Sequence, residues 1–312
     1  MNYLMISVDT EGDNQWDTSK GISTQNTQFL PRFQELCEKY GYKPVWLTNY
    51  EMANDESFVS YFKKKQDEGL CEIGMHLHAW YTPPEYEIEK KTDARDYLIE
   101  YPTEIMDKKI ETMTRLLEDK FEKKVVSHRS GRWAMDDRYF ELLKKHGYKV
   151  DCSVTPHADW SAHPGRTGIG GTNYSDYPEK PYFTDNGILE IPVSIRNMHF
   201  FNKEKATNPY KGLKEIKHML TGTTQWLRFF DTTSTYAVEK LADQLIAEGS
   251  DALFMIHSSE LMPGGSPNFK DEAEIDRLYV GMDRVFKKFA GAGFCGCTMR
   301  DYMDDYEGTT HG

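Results

Sequence analysis

The N-terminal stretch that decides the fold reads Tyr3-Leu4-Met5-Ile6-Ser7-Val8-Asp9-Thr10-Glu11-Gly12-Asp13. Its first half is apolar without alternating polar residues, which is typical of a strand covered on both faces. Three carboxylates then follow within five residues. Because α/β barrels keep their functional groups at the carboxyl ends of the strands, this change predicts a barrel strand that ends in a site.

Further apolar runs follow along the chain, and helical patterns separate them. The predicted strands are residues 3–8, 44–47, 71–76, 125–127, 149–154, 188–193, 252–256 and 293–297. The predicted helices are residues 27–40, 55–68, 104–120, 136–146, 236–248 and 271–290. Five of these helices are expected to end at a glycine in the left-handed conformation. The five glycines are Gly41, Gly69, Gly147, Gly249 and Gly291. This alternation predicts parallel strands with helical crossovers, in a distorted α/β barrel of seven or eight units.

The length of 312 residues fits one such barrel, and no linker or low-complexity tract divides the chain. We therefore expect a single domain over residues 1–312. The stretch 155–187 stands apart because it contains four prolines and five glycines. A loop of that length is usually functional in a compact domain, so it either covers the strand ends or is a peripheral excursion.

Composition narrows the classes of partner and location. The formal net charge of −12 argues against a nucleic-acid-binding surface, which needs clustered lysines and arginines. No apolar run is long enough for a membrane span or a signal-peptide core, so we expect a cytoplasmic protein. The five cysteines are scattered and odd in number, which indicates reduced thiols. Cys295 and Cys297 either contribute to a metal site or, as we favour, fill the core.

The acidic end of the first strand has two interpretations. Asp9, Glu11 and Asp13 can bind a cation, or one of them can act as a base whose protonation its neighbours tune. Alternatively, Asp9 and Asp13 cap backbone amides in a turn.

The third predicted strand ends in a His-x-His pair. Side chains two residues apart on an extended chain point the same way, so His76 and His78 can converge on one point. Two histidines and a carboxylate are a common zinc-binding set that leaves a position for water. Histidines also occur near strand ends as hydrogen-bonded partners, which is the competing interpretation.

The fourth predicted strand runs into the turn Arg129-Ser130-Gly131-Arg132-Trp133. A guanidinium group in this turn could hold Asp9 ionised and oriented. A surface ion pair with Asp136 or Asp137 is an equally common use of such arginines.

A late buried strand delivers His257 into a loop rich in glycine and proline. A histidine in that place is suited to general acid catalysis, and Glu260 or Ser258 could orient it. A Ser-His-acid triad is disfavoured because the chain has no Gly-x-Ser-x-Gly turn.

Together, these four segments resemble the motifs of the polysaccharide deacetylase family, carbohydrate esterase family four. The Gly-Arg-Trp turn and the His-Ser-Ser-Glu-Leu strand end are similar to a bacterial branch associated with capsule or surface-polysaccharide synthesis. The resemblance spans residues 4–265 and implies the family's barrel fold. It implies that Asp9 is the base, that His76 is a metal ligand, that Arg129 steadies the base and that His257 is the acid.

Two positions depart from the family pattern. Thr10 stands where the family has a second aspartate, so the metal carboxylate must be Glu11 or Asp13, of which we favour Glu11. Trp80 stands where the family has its second metal histidine, so His78 must substitute.

The resemblance implies a metal-dependent hydrolase, most simply a zinc enzyme, that removes an acyl group from an amino sugar. We expect the carbohydrate substrate to contact four residues at the strand ends, which are Trp80, Arg132, Trp133 and Glu260. One alternative is a carbohydrate-binding or regulatory barrel that has lost its metal chemistry. The other is a hydrolase of non-sugar amides. The sequence leaves the sugar, its linkage and the oligomeric state open.

Overall fold

The computed structural model describes residues 1–15, 21–203 and 205–310. The strands are β1 (Tyr3–Thr10), β2 (Val45–Thr48), β3 (Glu72–Leu77), β4 (Ser127–Ser130), β5 (Val150–Asp151), β6 (Tyr182–Phe183), β7 (Leu189–Glu190), β8 (Ile195–Met198), β9 (Thr223–Trp226), β10 (Ala252–His257) and β11 (Cys295–Gly296). The helices are α1 (Leu30–Lys39), α2 (Tyr50–Ala53), α3 (Glu56–Asp67), α4 (Thr103–Phe121), α5 (Asp137–Lys145), α6 (Pro209–Thr221), α7 (Thr235–Glu248), α8 (Glu272–Gly291) and α9 (Met299–Thr310).

The main sheet has the strand order β10-β1-β2-β3-β4-β5-β7-β6, and β11 pairs with β1. Every pairing in it is parallel except that of β6 with β7. The sheet curls into a half-barrel, which confirms the predicted fold class. The short strands β8 and β9 form a separate antiparallel hairpin.

Successive residues of each strand pack into two different cores. Leu4, Ile6 and Val8 of β1 face the helices, whereas Met5 faces the inside of the half-barrel. Ser7 and Asp9 share the side of Met5, because residues two apart on a strand point the same way. The first strand therefore aims Asp9 into the interior of the half-barrel at the carboxyl end.

Each of the eight predicted strands and six predicted helices corresponds to an element of the structure, with shifted ends. Helix α1 begins at Leu30 because Gln25–Phe29 form a 3-10 turn before it. Gly291 belongs to α8, and Gly293 adopts the left-handed conformation instead, with φ +82°. The sequence pattern did not predict α2, α6, α9, β6 or the β8–β9 hairpin. Every helix among the described residues is too short or too polar to cross a bilayer.

Candidate active site

The predicted site residues meet at the carboxyl edge of β1, β3, β4 and β10. Strand register brings them together, since Asp9 pairs with His257 and His76 pairs with Arg129. The charged residues at its centre are buried; Asp9 is 2% exposed and His76 is 3% exposed. Trp80, Arg132, Trp133 and His257 are partly exposed. The edge is thus a desolvated cluster of charges rather than a solvated acidic turn.

Asp9 is held by Arg129, which lies on β4. Arg129 is fully buried, and its Nη1 donates to Asp9 Oδ1 at 2.5 Å. Its other nitrogens donate to Ser7 Oγ and to the Cys152 carbonyl oxygen, both at 2.9 Å. Burial opposes ionisation of Asp9, but the nearby charges of Arg129, His76 and His257 hold its pKa below the usual value. Asp9 is therefore an oriented carboxylate, as the sequence predicted.

Glu11, His76 and His78 form a compact set of metal-binding groups. Glu11 Oε2 lies 2.8 Å from His78 Nε2 and 3.7 Å from His76 Nε2. One ligand atom from each residue lies within 4.8 Å of the others. Ligands of a tetrahedral zinc ion are about 3.3 Å apart at metal–ligand distances of about 2 Å, so the three residues need little adjustment to share an ion.

Hydrogen bonding orients one histidine for a metal, and the two histidines differ in protonation. Despite burial, the carboxylates of Asp9 and Glu11 raise the pKa of His76. His76 Nδ1 lies 3.0 Å from the Arg129 carbonyl oxygen, which leaves Nε2 free to face Glu11. His78 Nδ1 is buried without a hydrogen-bond partner among the described residues. Burial and the neighbouring His76 lower the pKa of His78, which favours the neutral imidazole that metals bind. Despite burial, hydrogen bonds from both histidines hold the pKa of Glu11 well below its usual range.

Hydrogen bonds from Ser258 and Asn26 fix the backbone of Glu11. Ser258 Oγ accepts from the Glu11 amide and donates to the Glu11 carbonyl, both at 3.0 Å. Asn26 Nδ2 also donates to that carbonyl, at 2.7 Å. Ser258 therefore positions Glu11 rather than His257, which corrects one of the two roles considered for it.

Asp13 takes the capping role that the sequence left open. Its oxygens accept hydrogen bonds from the amides of Gln25 and Asn26, at 2.6 and 3.1 Å, and from Ser23 Oγ at 2.9 Å. It is absent from the metal-binding set, so Glu11 is the carboxylate that faces the histidines.

His257 lies on the other side of Asp9, with Nε2 3.7 Å from Asp9 Oδ2. Its Nδ1 lies 3.2 Å from Glu260 Oε2 and 2.9 Å from Arg228 Nη2. Arg228 also donates to Glu260 Oε1 at 2.8 Å. The Glu260 side chain has no exposed surface, which corrects the prediction that it contacts substrate. Glu260 instead orients His257.

Arg228 is the residue of this site that the sequence analysis missed. Arg228 Nη2 and Glu260 Oε2 both contact His257 Nδ1, which leaves Nε2 as the ring nitrogen turned toward the site. That nitrogen is the one that faces Asp9. The available signal was weak, because Arg228 follows the polar strand β9, whose Thr-Thr-Gln-Trp sequence has no apolar periodicity.

The turn after β4 holds two predicted substrate contacts in different ways. Arg132 and Trp133 both have positive φ, 56° and 65°. The Arg132 guanidinium donates to the carbonyls of Arg95 and Pro164 and stacks on Tyr97, 4.0 Å from the ring centre. These contacts tie two loops together, and Arg132 stays partly exposed, so its contact with substrate remains a prediction.

The aromatic residues line the approach to the charged cluster. Trp80 lies over His78 with ring centres 4.3 Å apart, and the Arg95 guanidinium lies 4.6 Å from its ring centre. Trp80 also lines a cavity of about 400 Å³. Trp133 contacts Trp226 edge to face at 6.0 Å, and Trp226 in turn contacts Trp160 of the 155–187 stretch at 6.5 Å. Trp80 and Trp133 are both partly exposed, as stacking on a sugar requires.

Comparison with known proteins identifies the fold but not a family. No protein-family model and no curated protein matches the sequence. A provisionally assigned polysaccharide deacetylase from Mycobacterium smegmatis has 13% identity and a TM-score of 0.53, over 99% of this chain and 92% of that chain. A branching enzyme of glycoside hydrolase family 57 from Thermococcus kodakaraensis has 10% identity and a TM-score of 0.56, over 98% and 71%. The 4-alpha-glucanotransferase of Thermococcus litoralis has 12% identity and a TM-score of 0.52, over 97% and 40%. The half-barrel is thus shared with solved structures of differently named carbohydrate enzymes.

Proposed function

We propose that this protein is a metal-dependent hydrolase that removes an N-acyl group from an amino sugar or a polysaccharide intermediate. The observation that carries the proposal is one strand edge on which Glu11, His76 and His78 converge beside an Asp9–Arg129 pair and a His257–Glu260 pair. Amide hydrolysis needs all three functions, which are a Lewis acid, a base for water and an acid for the amine.

Glu11, His76 and His78 are the residues that would hold the cation. A divalent ion bound there, most simply zinc, supplies acidification of water and polarisation of the acyl carbonyl. Asp9, kept ionised by Arg129, takes the proton from the attacking water. His257 lies on the opposite side of Asp9 and protonates the departing amine through Nε2. The products are a carboxylate and a free amino sugar.

The carboxylates of Asp9 and Glu11 argue against glycoside hydrolysis, although two of the structurally similar proteins are named as a branching enzyme and a glucanotransferase. A glycosidase needs one carboxylic acid that stays protonated to assist the leaving group. Here Arg129 lowers the pKa of Asp9, and the histidines lower the pKa of Glu11, although both carboxyls are buried. These two carboxyls are poorly suited to that role, which favours acyl transfer to water.

The test combines metal analysis with acetate release. Native protein should contain about one equivalent of a divalent metal, lose acetate release from N-acetylglucosamine oligomers on chelation, and regain it with zinc, cobalt or manganese. His76→Ala should lose both metal and activity. His146→Ala is the matched control, since His146 pairs with Asp107 at 2.7 Å on the helical surface.

Full metal occupancy in His76→Ala would contradict the ligand assignment. A protein that binds the oligomers but releases no acetate with any of these metals would support the carbohydrate-binding alternative. Release from simple amides but not from sugars, in the same assay, would support the non-sugar hydrolase.

A further inference from the structure

The segment between β8 and β9 contains α6, a helix whose apolar side chains face solvent rather than the core. In α6 the only buried side chain is that of Glu215. Tyr210, Leu213 and Leu220 are 80%, 67% and 71% exposed, and Ile216 is 42% exposed. A surface helix normally packs its apolar residues against the core. Exposed apolar residues on consecutive turns instead mark a surface that contacts something else.

Positive charge accompanies these apolar side chains. Residues 199–222 contain five lysines and two glutamates, in a chain whose formal net charge is −12. Lys211, Lys214 and Lys217 follow one another at three-residue spacing and therefore share one side of α6. The exposed Leu213 and Leu220 lie on the adjoining side. The helix thus presents an apolar strip beside a basic strip.

The position of α6 relates it to the candidate active site. Its C-terminal end leads directly into β9, which ends at Trp226 and is followed by Arg228. Trp226 contacts Trp133, and Arg228 contacts His257. At about 3.3 Å per residue, the chain from Thr221 to Arg228 spans at most about 23 Å. The distance between the candidate site and a surface bound to α6 is therefore no longer than a short glycan.

A second copy of this chain fits the helix poorly. Pairing through α6 itself would set the lysine rows of two copies against each other, which is repulsive. Docking of α6 into another face would need an apolar receiving surface. Most other exposed large apolar side chains in the described ranges are separated along the chain, for example Phe29, Ile169 and Val280.

We infer that α6, with the lysines beside it, is a docking surface for an anionic lipid bilayer. A helix with lysines on one side and leucines on the other lies in the plane of the headgroups, with its apolar face among the acyl chains. The acidic body of the protein is repelled by the same surface, so attraction is confined to the basic helix. Docking in this way presents the candidate site to glycans that lie at a membrane.

The experiment is co-sedimentation of the full-length protein with lipid vesicles. We expect binding to phosphatidylcholine vesicles that contain phosphatidylglycerol, and much weaker binding to phosphatidylcholine alone or at high salt. The double variant Leu213→Glu/Leu220→Glu should lose binding. Neutralising Lys211, Lys214 and Lys217 by substitution with glutamine should weaken it by roughly 100-fold, since each surface cation contributes about a factor of five.

Val280→Glu is the control for an added surface carboxylate, because Val280 is 60% exposed on α8; it adds one negative charge, whereas the double variant adds two. It should bind vesicles like the unaltered protein. All of these side chains are on the surface, and circular dichroism melting verifies that each variant is folded. Equal binding by the double variant, no binding by the unaltered protein, or equal binding to neutral vesicles would each overturn the inference.

Sedimentation velocity distinguishes the remaining outcome. A dimer that becomes a monomer in Leu213→Glu/Leu220→Glu, without vesicle binding, would assign the face to a second copy and overturn the bilayer. Vesicle binding is measured without substrate or metal, so its result is independent of whether the protein is a deacetylase.

Discussion

Two histidine–carboxylate clusters lie on opposite faces of the same part of the sheet, and only one of them has the features of a site. Arg129 and His128 are neighbours on β4, so their side chains point to opposite faces. Arg129 faces the half-barrel interior and the Glu11–His76–His78 set. His128 faces the helices, where it meets Asp151.

In the outer cluster, both ring nitrogens of the histidine are hydrogen-bonded. His128 Nδ1 donates to Asp151 Oδ1 at 2.6 Å, and Tyr139 bonds His128 Nε2 at 2.8 Å. His128, Asp151 and Glu190 are completely buried. At the site, by contrast, two imidazoles face one carboxylate. A buried His–Asp pair is therefore weak evidence for function. Converging ligand atoms are stronger evidence.

The comparison predicts first that a change at the site costs activity while the metal stays bound. Asp9→Asn removes the base but keeps an oxygen that can accept from Arg129. Turnover should fall by roughly 100-fold to 10,000-fold, because general base catalysis contributes about that much. Metal content should change little, whereas the free energy of unfolding should fall, because the buried Arg129 charge loses its ionised partner. Acetate release and metal analysis on the same sample provide the measurement, and undiminished turnover would remove Asp9 as the base.

The second prediction is the converse for the outer cluster. Asp151→Asn should lower the free energy of unfolding by about 2–3 kcal/mol, because a buried charged hydrogen bond to His128 is lost. Metal content should be unchanged, since His128 and Asp151 point away from Glu11. Urea unfolding followed by metal analysis tests both parts. Loss of metal with unchanged stability would show that the two faces are not separate in function.

The sequence predicted which residues meet at the strand ends better than it predicted the residues that support them, and the reason is physical. Asp9, His76, Arg129 and His257 lie at or near the carboxyl ends of their strands, so strand order alone brings them together. The pair His128–Asp151 depends on the register of β4 with the two-residue strand β5. No periodicity reveals such a register.

The β8–β9 insertion escaped prediction for a different reason. Its strands are polar, and α6 carries its apolar residues on the outside, so the core-facing pattern that indicates a helix is reversed. Local signals were present, because Asn208 caps the helix and Pro209 is its first residue. Arg228 was missed together with the hairpin that positions it.

A third prediction concerns the rim of the site, where Glu51 has a buried oxygen without a partner among the described residues. Burial, with Glu11 nearby, raises the pKa of Glu51 from 4.5 to about 7. The folded state then binds the proton more tightly than the unfolded state, so stability is full below pH 4.5 and is lost as the pH rises through 7. Glu51→Gln should remove this loss.

In metal-free protein above pH 7, Glu51→Gln should therefore increase the free energy of unfolding by up to about 2 kcal/mol, after allowance for partial exposure. Below pH 4.5 the variant and the unaltered protein should unfold alike. Urea unfolding across this range is the measurement. A benefit that is the same at every pH would show that the carboxylate of Glu51 is not the cause.

The smallest effect is expected at Glu190 in the outer cluster, where a substitution distinguishes a protonated carboxyl from an ionised one. Burial and the adjacent Asp151 raise the pKa of Glu190 well above its usual value, so it is neutral and resembles an amide in shape and hydrogen bonding. Glu190→Gln keeps an acceptor for the Val154 amide, which Glu190 Oε1 now accepts at 3.0 Å, and should change stability by less than about 1 kcal/mol. Glu190→Leu leaves that amide unsatisfied and should cost about 1–3 kcal/mol, as measured by urea unfolding near neutral pH. If Glu190→Gln lowered the free energy of unfolding as much as Glu190→Leu, the Glu190 side chain would be ionised. The outer cluster would then hold the negative charges of both Asp151 and Glu190.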